Sequence, residues 1–160
     1  MKLPSINPAV SLFGALISLS FIVGCASHNP ALESCIQPCS THSEADKQIS
    51  GKLAAKLQQV PEASAEASYK NTIKNDFPQL SDSNARLCLG LRAIECYYNH
   101  KMIDKATAQR LAEETLQNYR SRNGVSAVGG KLTPLEKNLV RKSPDGSTIM
   151  AELKSFNLAN

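Results

Sequence analysis

The chain has 160 residues, 42% hydrophobic but only 5% aromatic with no tryptophan, so any core is built mainly from aliphatic side chains. Lys and Arg number 18 against 14 Asp and Glu, a formal +4 that is spread along the chain rather than gathered beside aromatics, which excludes the usual pattern of a nucleic-acid binder. The longest basic cluster, Lys137 to Lys142, is interrupted by apolar residues and reads as a solvated helix face.

Met1-Lys2-Leu3 carries a single lysine and precedes Ala9 to Val23, an apolar-rich, charge-free run broken by Ser11, Ser18 and Ser20. A bilayer-spanning helix needs ~20 apolar residues. This run is shorter and has the length of a secretory h-region. It closes on Ile22-Val23-Gly24-Cys25. These four residues resemble the lipobox of bacterial lipoproteins: an aliphatic residue, a tolerant position, a small residue, then cysteine. Ile22 stands where leucine is commoner.

The resemblance covers residues 1–25 alone. It implies cleavage between Gly24 and Cys25, diacylglyceryl transfer to the Cys25 sulfur, and acylation of the new amino terminus. Each buried CH₂ contributes ~0.8 kcal/mol and one chain binds only reversibly, so two or three acyl chains make a lasting anchor. In such proteins an aspartate after the cysteine favours inner-membrane retention. Ala26 occupies that position, which implies the outer membrane, facing the periplasm.

Residues 25–42 are expected to form a lipidated tether and a cysteine-pinned segment without clear periodicity. Ser43 to Asp46 is a capping-box type start, and Ile49, Leu53, Leu57 and Val60 then recur at helical spacing up to Pro61. A second helix follows, with Tyr69, Ile73 and Phe77 on one stripe and Pro78 closing it. The third starts near Ser81-Asp82 and runs to about His100. Leu87, Leu91, Ile94 and Tyr98 line one face, widened by Leu89, Ala93, Cys96 and Tyr97. Only Arg92, Glu95 and Asn99 form a polar stripe, so this helix is expected at the centre.

Asp104 caps a fourth helix with Ala108, Leu111, Ala112, Thr115, Leu116 and Tyr119 on its apolar face, ending at Asn123-Gly124. Val125 to Lys131 reads as a linker. Thr133-Pro134-Leu135-Glu136 opens a short fifth helix, Pro144-Asp145-Gly146 is a turn, and Ile149 to Phe156 make a last turn or two. The expected fold class is all-α: a small bundle of about four helices stapled by disulfides, with a short helical C-terminal appendage. Its segments are a signal peptide over 1–24, the tether over 25–42, the bundle over 43–123, and the linker with its helical segment over 124–160.

Four cysteines follow Cys25, an even count that in an exported chain reads as a disulfide framework. Cys88 and Cys96 lie on one helix, about 12 Å apart at 1.5 Å per residue. A bridge needs Cα atoms within ~7 Å, so each must pair elsewhere. Cys35 and Cys39, extended, span about 13 Å. The spacing therefore favours two bridges joining this pair to the helix, with the direction, Cys35 to Cys88 or to Cys96, left open. The alternative is a local Cys35–Cys39 loop that leaves Cys88 and Cys96 reduced in the core. A rival is a metal site using Cys39 with His42 and Cys96 with His100, joined by Cys35 and Cys88. The spacings C-x3-C and C-x7-C are not the usual short zinc pairs, so no metal or other cofactor is expected.

No nucleophile elbow, His-Glu-x-x-His helix or dinucleotide fingerprint occurs. Glu113-Glu114 reads as a solvated face, and no catalytic residue is assigned. The functional expectation is an outer-membrane-anchored periplasmic lipoprotein that binds, scaffolds or assembles another envelope protein. In size and kind the chain is similar to secretion-system pilotins, small lipoproteins that escort a channel subunit to the outer membrane; no motif carries that likeness. The alternatives are a metal-binding envelope lipoprotein and an envelope enzyme.

Overall fold

The computed structural model describes residues 29–125 and 131–159. Cys25, the apolar run before it and most of the Val125–Lys131 linker lie outside the described residues. Seven α-helices, and no strand among the described residues, follow in order: α1 (Pro30–Cys35), α2 (Glu44–Gln58), α3 (Ala65–Asn75), α4 (Ser83–Asn99), α5 (Lys105–Arg122), α6 (Pro134–Arg141) and α7 (Gly146–Ser155). Single 3-10 turns at Glu62–Ser64 and Phe77–Gln79 flank α3. The fold is a small disulfide-stapled helical bundle.

α1 falls where no period was expected. Asn29 caps it, its side chain accepting from the Ala31 amide at 3.1 Å, and Pro30 takes the first helical position. Six residues are too few for a periodic stripe, and only Leu32 is buried within them. Ile36, also buried, leaves the helix and turns the chain toward Cys39.

Ser43 caps α2, accepting from the Asp46 amide. The reciprocal half of the expected box is absent. Asp46 instead accepts from the Ser81 amide and hydroxyl and the Asp82 amide, clasping the start of α2 to the start of α4. The Ser81 hydroxyl foremost, against the cost of burial, holds this carboxyl below the usual range. Asp82 in turn caps α4 through the Asn84 and Ala85 amides.

α4 is the central helix, buried on most of its circumference, and packs most extensively on α5 and α7. One expected position is corrected. Tyr98 is 40% exposed, and Tyr97 takes the core position, fully buried. Its hydroxyl donates to the Leu57 carbonyl at 2.7 Å, which satisfies the phenol and fastens α4 to α2. Tyr69 meets the Tyr97 ring edge-on, with centroids 6.3 Å apart.

α4, α5 and α7 end alike, on a left-handed residue at Lys101, Gly124 and Asn157. In each, the following amide reaches back to the helix: Met102 to Tyr97, Val125 to Arg120, Leu158 to Leu153. Only Gly124 advertises the stop in sequence.

Gly90 sits where α4 meets α3 and α5. A Cβ there would lie 2.8 Å from both the Thr115 methyl Cγ2 and the Tyr69 hydroxyl, and that hydroxyl is fixed by a 2.9 Å hydrogen bond to Thr115 Oγ1. Gly90→Ala is therefore expected to destabilise by about 1–2 kcal/mol, because overpacking outweighs alanine's better helix propensity. Chemical denaturation checks this; a gain in stability would mean that the three helices separate freely.

The C-terminal helices complete the other side of α4. Thr133 and Glu136 form a full capping box on α6. Gly146 is closed on by the Val140 carbonyl, so α7 starts in close contact with the end of α6. α7 is longer than the last turn or two expected, with Ile149 and Leu153 fully buried. The Leu132 amide ties this unit to the Leu158 carbonyl at 3.0 Å.

Candidate functional site

The cysteines pair as Cys35–Cys96 and Cys39–Cys88, with Cα separations of 5.9 and 6.2 Å. The segment from α1 onward thus runs antiparallel to α4, which answers the direction left open by sequence. Arg92, between the two bridged positions on α4, donates to the Gln37 and Pro38 carbonyls at 3.0 and 3.3 Å. The staple is a ring of two bridges with a guanidinium across its middle.

Cys35, Cys96 and His100 place ligand atoms within 4.8 Å of one another, as do Cys39, Cys88 and Asp145. In both groups the sulfurs are joined in bridges, which leaves no thiolate to ligate. His42 belongs to neither group.

Beside the staple, Glu152 on α7 faces Arg92, with Nε and Oε1 3.9 Å apart. Burial, opposed by Arg92 and reinforced by Glu95 and Asp145, pushes Glu152 up to about 8. Its Oε2 is buried with no hydrogen-bond partner, which favours the protonated form.

The opposite face of α4 carries a groove. At about 100° per residue, Ser83 and Leu87 point away from Cys88, Arg92 and Cys96. With α3 and α5 they enclose a cleft of about 370 Å³. Ile73, Phe77, Leu87 and Tyr119 give it an apolar lining, and the Tyr69–Thr115 hydrogen bond lies behind it. Tyr119 donates to the Asn84 side chain at 3.0 Å. Burial first, then the charges of Glu136 and Asp82, push this phenol up to about 12, so it remains a donor.

Four cations, Lys70, Lys74, Arg86 and Arg122, line the cleft against one carboxylate, Glu114. Glu114 is engaged by Arg110 at 3.0 Å, and Lys70 by Glu66 at 3.0 Å. Lys74, Arg86 and Arg122 have no ion pair among the described residues. Arg86 donates through Nη2 to the Ser81 carbonyl at 2.9 Å, while its Nε and Nη1 are buried with no partner. Burial, then the like charge of Arg122, pulls this guanidinium below its ordinary value against the opposing charges of Asp46 and Asp82. Such a group is suited to an incoming carboxylate, which offers two acceptors in the guanidinium plane.

The sequence reading missed this cleft. Its cations are scattered over three helices, and each alone is an ordinary charge on a helix face. Comparison with protein-family models, with curated proteins and with solved structures finds no match to this chain. No helix among the described residues is long and apolar enough to cross a membrane.

Proposed function

We propose that the protein is a non-catalytic binding module of the bacterial cell envelope, held on the periplasmic face of the outer membrane by acyl chains on Cys25, and that it docks another envelope protein in the α3–α4–α5 groove. The observation carrying the docking surface is the cleft rimmed by Lys74, Arg86 and Arg122, cations that make no ion pair within 4.0 Å among the described residues. The lipobox carries the anchor. A disulfide-stapled bundle on a tether suits a module that positions a partner, and the pilotin likeness is one form of that role.

Two experiments test the two parts. Cys25→Ala is expected to release the protein from membranes and abolish acyl labelling; membrane association with unchanged labelling would refute the anchor. A photo-crosslinking residue at Asn118, on the groove wall, is expected to trap one envelope protein in intact cells. Arg86→Glu with Arg122→Glu should remove that adduct. An adduct indifferent to both charge reversals would place the docking surface elsewhere.

A further inference from the structure

We infer that the groove takes an amphipathic helix of the partner protein, one that presents acidic side chains beside its apolar stripe and seats a carboxylate on Arg86 and Arg122. This rests on the reading of the groove as the docking surface and specifies its occupant. Three observations carry it.

The first is the length of the walls. Lys70 to Phe77 on one side and Thr115 to Arg122 on the other each span about two helical turns, roughly 10 Å. Both walls present residues at three- and four-residue intervals. A helix laid into such a cleft offers anchors at i, i+3 or i+4, and i+7, which matches this repeat.

The second is the charge imbalance. The one groove carboxylate is already engaged by Arg110, whereas Lys74, Arg86 and Arg122 make no ion pair within 4.0 Å among the described residues, Arg86 feeling Asp46 and Asp82 only from farther off. The third is the state of Arg86. Its Nε and Nη1 are closed off from solvent, but Nη2 donates only once, to the Ser81 carbonyl, and keeps a second N–H for an incoming carboxylate. A free phosphate or a lipid headgroup would answer the arginines but not the half-buried Ile73 on the groove wall. A helix with both apolar and acidic residues answers both.

The test uses the full-length chain in nanodiscs of neutral lipid. Three labelled synthetic peptides of about four helical turns share one leucine stripe, flanked by Glu, by Gln or by Lys. Binding is read by anisotropy against empty nanodiscs, and location by crosslinking from Asn118. The Glu peptide is expected to bind in the groove, about tenfold or more tighter than the Gln peptide. That difference should vanish in Arg86→Gln, whose thermal melt reports that it still folds. The Lys peptide should not bind. Equal affinity of the Glu and Gln peptides overturns the carboxylate seat but leaves the docking surface standing. Failure of all three to crosslink from Asn118 overturns the docking surface as well. If anionic phosphatidylglycerol vesicles block the Asn118 crosslinker and no peptide does, the occupant is a lipid and the inference is wrong.

Discussion

Cys88→Ser is expected to lower the stability of the oxidised protein by about 3 kcal/mol. The bridges are nested: Cys39–Cys88, with a sequence separation of 49, lies inside Cys35–Cys96, with 61. Once either is closed, the other adds only a ring of about a dozen residues, from Cys35 to Cys39 and from Cys88 to Cys96. In the chain-entropy account a loop of about 15 residues corresponds to ~3 kcal/mol and one of about 60 to somewhat over 4. Either bridge alone therefore retains most of the constraint. Losing both should cost about 7 kcal/mol, more than twice a single loss. Domains of this size have total stabilities of ~5–15 kcal/mol, so the fully reduced chain is expected to be largely unfolded near 37 °C. Denaturant titrations of the wild type, Cys88→Ser, Cys35→Ser and the fully reduced protein give the three steps. A reduced protein that melts with the oxidised one would remove the structural role of the staple.

Much of the fold was legible because the signals are local. Ser43, Asp82, Asp104 and Thr133 each cap the helix that follows, and each lies just before an apolar period. The ban on Cys88–Cys96 needed only the helical rise, while the antiparallel pairing required the path of α1, a helix too short to leave a stripe. Tyr97 and Tyr98 are neighbours with similar claims on the apolar face. The Leu57 carbonyl, 40 residues away, decides for Tyr97. Asp46 had the right spacing for a local cap, but the Ser81 and Asp82 donors compete for it and win. The groove was invisible for the same reason. Lys74, Arg86 and Arg122 come from three helices, and only their packing makes them neighbours.

Arg120 is the buried charge that periodicity did not mark, and its removal is expected to be among the costliest single changes in the chain. It is 2% exposed, and Glu136 is fully buried. Nε donates to Oε1 at 2.6 Å and Nη2 to Oε2 at 3.2 Å, while Nη2 also donates to the Lys131 carbonyl at 2.7 Å. Glu136 completes its set by accepting from the Thr133 amide at 2.7 Å, so one carboxylate joins α5 to the start of α6. Burial works to raise Glu136, but the Arg120 hydrogen bonds and the Thr133 amide outweigh it and hold the carboxyl below its ordinary range. The group therefore stabilises fully above its unfolded value and loses that contribution as pH falls through its lower folded value. Arg120→Ala reverses the sign. The carboxylate is left buried without its counterion, burial raises it, and the variant loses stability as pH rises past the ordinary carboxylate range. The expected cost is about 3–5 kcal/mol at pH 7, shrinking toward pH 4 as Glu136 takes up a proton. Arg120→Met with Glu136→Leu removes both charges and should recover most of the loss, apart from the ~1 kcal/mol of the α6 cap. Urea midpoints of the three proteins at pH 4 and pH 7 decide it. A penalty for Arg120→Ala that is the same at both pH values would show that packing, rather than the uncompensated carboxylate, accounts for the loss.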